Sequence, residues 1–182
     1  MSGLSVRAWF QNSIWVASMM KIVPLFAWLL LIAGEAKAQE ARETYAIQNV
    51  QTGKNLRPYA AGIADGNGIV LYDHWSWKCM TWQFVKVDED TYQLRNLHTL
   101  KTIQPSGTGR GNTTLWQQPL GASKAQQWQF IRDADDTYRI RLKGSDLFIT
   151  ISSEKTNSPI VLMPLQNSTA QQWRLVKQDP WF

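Results

Sequence analysis

The chain contains three copies of one sequence unit, and this repetition constrains its fold more than any other feature. Each copy opens with a Thr-Tyr pair and ends near a tryptophan. The opening pairs are 47 and 46 residues apart, and the closing tryptophans are 46 and 45 residues apart. A period kept this closely indicates a fold built from three similar units. The opening pairs are Thr44-Tyr45, Thr91-Tyr92 and Thr137-Tyr138, and the closing tryptophans are Trp82, Trp128 and Trp173.

Each copy carries four short apolar runs that are separated by turn-forming residues. Tyr92 and Leu94 alternate with polar neighbours in the first run of the second copy, and Gln83 separates Trp82 from Phe84 in the last run of the first. This period of two is typical of half-buried strands, and no part of the repeat region has the spacing of an amphipathic helix. We therefore predict an all-β fold of twelve short strands and no helices. The copies span about residues 43–88 (unit one), 89–134 (unit two) and 135–178 (unit three).

The segment before the repeats has the layout of a secretory signal. Lys21 follows Met20, residues 22–34 are almost wholly apolar, and a small-x-small triplet ends at Ala38. This is the order of a charged region, a hydrophobic region and a cleavage site. The apolar stretch is too short for a stable membrane anchor, which needs about 20 residues. We expect translation to start at Met19 or Met20, a leader over residues 1–38, one domain over 39–182, and a secreted or periplasmic protein.

The charge of the chain and its cysteine content exclude some classes of protein. The formal net charge is +5, and it falls to +3 without the leader. The basic residues form no run of the kind that binds nucleic acid, so no nucleic-acid partner is expected. Cys79 is the only cysteine, which excludes an intrachain disulfide. A small buried hydrophobe is the favoured interpretation of Cys79, and an intermolecular bridge stays open.

No arrangement in the sequence indicates catalysis. The two histidines, His74 and His98, fall in different units. The nucleophile elbow, the zinc-protease motif and the phosphate-binding loop are all missing from the sequence. The acidic clusters at 88–90 and 133–136 fall at unit junctions, where they suit turns better than a metal site. We expect a protein that is not an enzyme and that carries no cofactor and no metal.

Two of the closing segments resemble a known family. Gln126-Gln127-Trp128 and Gln171-Gln172-Trp173 resemble the Gln-x-Trp signature of ricin-B-type lectin domains, and the likeness covers about residues 43–177. It implies a β-trefoil of three four-stranded repeats with pseudo-threefold symmetry, and a glycan or glycoconjugate as partner. It also implies that the signature residues serve the core. These are Trp82, Gln126, Trp128, Gln171 and Trp173.

The sugar pockets that the resemblance implies are incomplete in this chain. A pocket of the family combines an acid after the second-strand aliphatic residue with an aromatic ring at the end of the third strand. Unit one also has Met80 in place of the signature glutamine. The acid's position is taken by Arg57, Gln104 and Thr150, and the ring's position by Tyr72, Gln118 and Met163.

Unit one still holds the best candidate for a sugar site. Aromatic and polar residues cluster between Tyr72 and Trp77. A ring can stack on the apolar face of a sugar, and a carboxylate accepts strong hydrogen bonds from hydroxyls. Burial of these rings beneath the loop is the equally weighted alternative. The predicted carbohydrate-binding residues are Tyr72, Asp73, His74, Trp75 and Arg57, with Gln104 and Gln118 as a second polar surface in unit two.

Two functions therefore stay open at the level of sequence. The favoured one is an exported, non-catalytic, carbohydrate-binding protein. In the alternative, the sugar pockets have decayed and the trefoil acts as a protein-binding subunit or as the carrier of a toxin or enzyme subunit. The retained cluster from Tyr72 to Trp77 favours the first, and the incomplete pockets favour the second, because function depends on the site and not on the fold.

Overall fold

The alternating runs form twelve antiparallel strands in the computed structural model, which describes residues 43–108 and 110–180. The predicted leader and signal peptide lie outside these residues. Four strands fall in each unit, and the predicted all-β class is confirmed. The strands are β1 (Thr44–Asn49), β2 (Asn55–Pro58), β3 (Ile69–Tyr72), β4 (Trp82–Lys86), β5 (Thr91–Asn96), β6 (Thr102–Pro105), β7 (Thr113–Gln118), β8 (Trp128–Arg132), β9 (Tyr138–Leu142), β10 (Leu147–Ile151), β11 (Ile160–Pro164) and β12 (Trp173–Lys177).

Short 3₁₀ turns are the one class of element that the sequence patterns did not predict. Four such turns of three residues each occur in the described part of the chain, which has no other helix. None of the helices among the described residues is long and apolar enough to cross a membrane. Three of them lie just before the last strand of a unit. Cys79 is buried in such a turn and not in a strand. The turns are Tyr59–Ala61, Lys78–Met80, Lys124–Gln126 and Thr169–Gln171.

The first and last strands of the three units form a closed barrel. β1 pairs with β4 and with β12, and the remaining pairs run β4–β5, β5–β8, β8–β9 and β9–β12. Six strands therefore close on themselves, which leaves no unpaired edge around the barrel. Closure joins the first described strand to the last, because Tyr45 lies opposite Lys177.

The second and third strands of each unit form a hairpin that caps the barrel. The hairpins are β2–β3, β6–β7 and β10–β11, and β7 also pairs with β11. Single bridges between Gly68 and Trp116 and between Val70 and Pro159 link the hairpin of unit one to the other two. A six-stranded barrel with three capping hairpins is the arrangement of β-trefoil proteins.

The closing tryptophans lie at the centre of the core. Trp82, Trp128 and Trp173 are completely buried. Each indole Nε1 donates a hydrogen bond to a main-chain carbonyl in the second strand of its own unit, so the polar edge of each ring is satisfied without water. The acceptors are the carbonyl oxygens of Leu56, Ile103 and Ile149, at 3.2, 3.1 and 3.0 Å respectively.

Two buried asparagines form hydrogen bonds between neighbouring units. Asn96, at the end of β5, donates from Nδ2 to the carbonyl of Cys79 at 2.9 Å. Its Oδ1 accepts from the main-chain nitrogens of His98 and Thr99 at 3.1 and 3.2 Å. Asn49 connects unit one to the 3₁₀ turn of unit three in the same manner. The side-chain amide of each asparagine therefore stabilises the tight turn after its own strand and, at the same time, the 3₁₀ turn of the neighbouring unit.

We predict that Asn96→Leu lowers the free energy of unfolding by about 2–3 kcal/mol, because it leaves a buried carbonyl and two main-chain N–H groups without partners. Leu142 occupies the equivalent place at the end of β9, so a leucine side chain fits this fold. Urea unfolding followed by tryptophan fluorescence measures the change. The exposed Asn167→Leu serves as control, and an equal effect of both substitutions would contradict the assigned role.

Asp133 stabilises the junction between units two and three. Its carboxylate accepts hydrogen bonds from Gln172 Nε2 at 3.0 Å and from Arg139 Nε at 2.9 Å. The main-chain nitrogen of Ala134 donates a third at 3.0 Å. The bonds from Gln172, Arg139 and Ala134 favour the ionised carboxylate and lower the pKa of Asp133 from 3.8 to about 2.

This shift predicts a pH-dependent part of the stability. A carboxyl with a depressed pKa in the folded state stabilises the fold fully above the ordinary value of 3.8, and the effect disappears as the pH falls through about 2. Asp133→Asn should therefore lower the urea midpoint at neutral pH, and its difference from the parent should shrink as the pH approaches 2. Asp135→Asn, which removes another carboxylate of the same turn, at φ 55°, is the control substitution. A constant difference across the pH range would exclude the carboxylate as its cause.

Candidate functional site

The predicted cluster of unit one lies on the loop that joins β3 to β4. Gln178 holds this loop from the other end of the chain, since its Nε2 donates to the carbonyl of Trp75 at 3.3 Å. The Thr81 hydroxyl lies 2.9 Å from Gln178 Oε1 and 2.9 Å from the carbonyl of Trp77. Gln178 is buried, so these contacts fix the loop from beneath.

Two tryptophans of the loop form an aromatic platform. The rings of Trp75 and Trp77 are stacked, with centroids 5.5 Å apart and planes inclined by 10°. Trp75 is 54% exposed, whereas Trp77 is half-buried beside it. A large exposed ring that is fixed by a second ring is a suitable surface for stacking on the apolar face of a sugar. Burial of Trp75 beneath the loop, the alternative weighed at the level of sequence, is not what the structure shows.

Polar side chains lie at the start of the same loop. The carboxylate of Asp73 is 3.5 Å from Lys54 Nζ and 3.3 Å from the hydroxyl of Thr156, and more than half of it stays exposed. His74 Nδ1 lies 2.8 Å from Asn55 Nδ2, which donates to it. The acceptor of Asp73 and the imidazole of His74 are therefore held in place and still face solvent, where hydroxyl groups can reach them.

Arg57 lies beneath Tyr72 and not on an open surface. Its guanidinium carbon is 3.3 Å from the centroid of the Tyr72 ring, which is a close cation–π contact. Arg57 is 8% exposed, and its buried Nε has no hydrogen-bond partner. Within the described residues, no carboxylate forms an ion pair with it. Arg57 thus positions the ring of Tyr72 and adds positive charge beneath it.

The signature glutamines explain why unit one differs from the other two. Gln126 Nε2 donates to Gln104 Oε1 and to the carbonyl of Pro119, both at 2.9 Å. Gln171 makes the same pair of bonds in unit three, to Thr150 Oγ1 and to the carbonyl of Pro164. Each glutamine therefore ties the second strand to the segment that follows the third. Met80 takes this place in unit one and is completely buried.

Of the two residues of the predicted polar surface in unit two, Gln104 forms a side-chain hydrogen bond and Gln118 forms none within the described residues. Gln104 and Gln118 lie on the same face of the β6–β7 hairpin, because Gln104 is opposite Trp116 and Gln118 is opposite Thr102. Gln104 Oε1 already accepts from Gln126. Both glutamines are half-buried, and no ring lies at the end of β7. The structure thus brings together the five predicted residues of unit one and leaves the other two in unit two.

The candidate site of unit one includes four further residues that sequence analysis did not predict: Lys54, Asn55, Thr156 and Gln178. Lys54 lies just before β2, and Asn55 is the first residue of β2. The only signal for them in the sequence was that β2 is the hairpin partner of β3. Thr156 and Gln178 come from unit three, 83 and 103 residues away from their partners. No local pattern marks contacts of such length.

We predict that Trp75→Ala costs less than about 1 kcal/mol of stability, because the ring is largely exposed and only its stacking on Trp77 is lost. Trp82→Ala, which empties a completely buried position, should cost about 3–5 kcal/mol. Chemical unfolding curves of the two variants measure both values. A large loss for Trp75→Ala would show that this ring is structural.

Comparison with known proteins agrees with this architecture. A family model described as ricin-type beta-trefoil lectin domain-like matches residues 78–164 and 124–181, which together make up more than half of the chain. The chain belongs to this family. A search of curated protein sequences finds no significant match.

Solved structures share the same fold at low sequence identity. The designed threefold-symmetric protein ThreeFoil aligns with a TM-score of 0.71 and 20% identity, over 73% of this chain and 97% of its own. A ricin B-like lectin from Macrolepiota procera, solved with lactose, aligns with a TM-score of 0.63 and 20% identity, over 73% and 94%. An exo-β-1,3-galactanase from Clostridium thermocellum aligns with a TM-score of 0.72 and 19% identity, over 75% of this chain and 30% of the enzyme. Identities this low establish the fold alone.

Proposed function

We propose that this chain is an exported, non-catalytic lectin that binds a glycan through the loop of unit one. The observation that carries the proposal is the exposed Trp75 ring, stacked on Trp77 and flanked by Asp73 and His74. Stacking surface and hydroxyl-binding groups then lie within one loop of a lectin-family fold. The lactose-bound lectin from Macrolepiota procera supports a sugar as ligand, although that ligand is known only for that protein.

The roles of the individual residues follow from their positions. Trp75 supplies the stacking face, while Asp73 accepts hydrogen bonds from sugar hydroxyls. Tyr72, supported by Arg57 at 3.3 Å, provides a second ring at the end of β3. Because Arg57 replaces the acid of the family's pocket, the preferred sugar should differ from simple galactose.

A single site of this kind is weak. A dissociation constant near 1 mM corresponds to only about −4 kcal/mol. Several sites on one glycan surface can raise the apparent affinity by ~10²–10⁴ without new contacts. With one well-formed cluster per chain, this protein would reach that range as an oligomer or as part of a larger assembly.

The alternative function is that of a protein-binding or carrier subunit for a toxin or enzyme. Met80 and Arg57 favour it, because they replace a hydrogen-bonding glutamine and an acid of the family's pocket. The galactanase also favours it, since the matched region makes up only 30% of that enzyme. In this case the trefoil would contact a polypeptide and not a free glycan.

A glycan array decides between these functions. We expect the parent chain to bind a defined set of glycans, and Trp75→Ala to weaken this binding at least about tenfold, because the stacking of a sugar on an aromatic ring is lost. Tyr59→Ala, which removes another exposed ring of unit one, is the matched control and should bind like the parent. Competition by the soluble form of the best glycan verifies specificity.

The other outcomes are equally informative. Binding that survives Trp75→Ala would place the site elsewhere, and Gln118→Ala then tests unit two. Absence of binding to every glycan, with a folded parent chain, would contradict the lectin proposal and favour the protein-binding alternative.

A further inference from the structure

The barrel end opposite its capped end holds a ring of partly exposed aromatic side chains. Each of the six barrel strands contributes one large apolar residue to it. The rings meet at steep angles, with neighbouring centroids 4.9–6.1 Å apart and planes inclined by 52–86°. They line a cavity of about 700 Å³ at the surface of this barrel end. We call this feature the barrel mouth; its six residues are Tyr45, Phe84, Tyr92, Phe130, Tyr138 and Leu175.

This ring is a consequence of the threefold repeat. The three tyrosines are the second residues of the opening Thr-Tyr pairs, and the other three positions come two residues after the closing tryptophans. Since side chains alternate along a strand, residues two apart face the same side. Phe84, Phe130 and Leu175 therefore lie one layer below the buried indoles of their own strands. Each mouth tyrosine lies directly opposite one of these tryptophans in a neighbouring strand.

Acidic side chains surround the mouth. Glu43, Glu89 and Asp90 line the cavity, together with a single base, Lys86. The formal charge of this lining is −2, although the whole chain carries +5. Glu43 already pairs with Lys177 at 2.8 Å. Glu89 is exposed and forms no ion pair or hydrogen bond within the described residues, so its carboxylate stays available.

The phenol of Tyr45 is neutral at ordinary pH. Burial raises the pKa of Tyr45 to about 12, and its hydrogen bond to Glu43 acts in the same direction. The Tyr45 hydroxyl therefore stays protonated, donates a hydrogen bond to the Glu43 carboxylate and adds no phenolate charge. The charge of the lining comes from the carboxylates of Glu43, Glu89 and Asp90 and from Lys86.

We propose that the barrel mouth binds a small organic cation of the quaternary ammonium class. Aromatic faces attract such cations through their quadrupoles, and the attraction grows when water is excluded. The excess of carboxylates adds long-range attraction and repels anions. A volume of about 700 Å³ is within the usual range for small-ligand pockets. None of the mouth residues belongs to the candidate glycan site, so either proposal can fail without the other.

The test compares choline with its uncharged carbon isostere, in which a tert-butyl group replaces the trimethylammonium group. The two probes have the same shape, so a difference in affinity reports the charge. We expect choline to bind the full chain and to shift the ring-proton resonances of the mouth tyrosines. The isostere should bind at least about tenfold more weakly. Titration calorimetry and proton NMR provide the two readouts.

Phe130→Leu separates cation–π attraction from simple apolar contact. Phe130 is the central ring of the mouth, in contact with Phe84, Tyr92 and Tyr138. Leu175 occupies the equivalent position in unit three, so the fold already accepts leucine there. The substitution should weaken choline binding about threefold or more and leave binding of the isostere unchanged.

Glu89→Gln tests the charge at the rim. It should weaken choline binding, because it removes a carboxylate that has no other partner, whereas Glu154→Gln, outside the mouth, should not. Equal binding of choline and its isostere would overturn the proposal in favour of a general apolar pocket. A folded parent chain that binds no choline at millimolar concentration would overturn it as well.

Discussion

The hydrogen bond from each closing indole to the second strand of its unit is the interaction on which the remaining structure depends. It fixes the largest side chain of the unit to one main-chain carbonyl, at 3.0–3.2 Å in all three copies. In each unit this bond joins the first strand of the hairpin to the unit's last strand, which belongs to the barrel. Three large rings held in one orientation define the core, and barrel closure, capping hairpins and barrel mouth are built around them.

The three units share this core and differ at the surface. In units two and three the signature glutamine bridges the second strand and the end of the third, which fixes the 3₁₀ turn before the tryptophan. Unit one has Met80 there, and its loop is fixed by Gln178 instead. The most aromatic of the three loops is therefore also the one that has lost the standard support.

The sequence allowed the strands, their number and the all-β class to be predicted, because a period of two and a repeat of 46 residues are both local signals. The 3₁₀ turns were missed because three residues are too few to show a period. The burial of Arg57 beneath Tyr72 was also missed, since sequence spacing does not indicate which face of a ring is covered. The mouth residues Tyr45 and Phe130 were predicted as strand positions. Their meeting in one ring depends on barrel closure, which joins residues far apart in the chain.

The contact between Gln178 and the Trp75 loop has a consequence for the order of folding. A chain made from its N-terminus presents unit one first, but the residue that fixes its loop comes among the last to be synthesised. Until β12 is complete, β1 has an unpaired edge, and edges of this kind can pair with other chains. Pairing across so long a separation is also intrinsically slow. The aromatic loop thus belongs to the first unit to be made and is among the last parts of the domain to acquire its final shape.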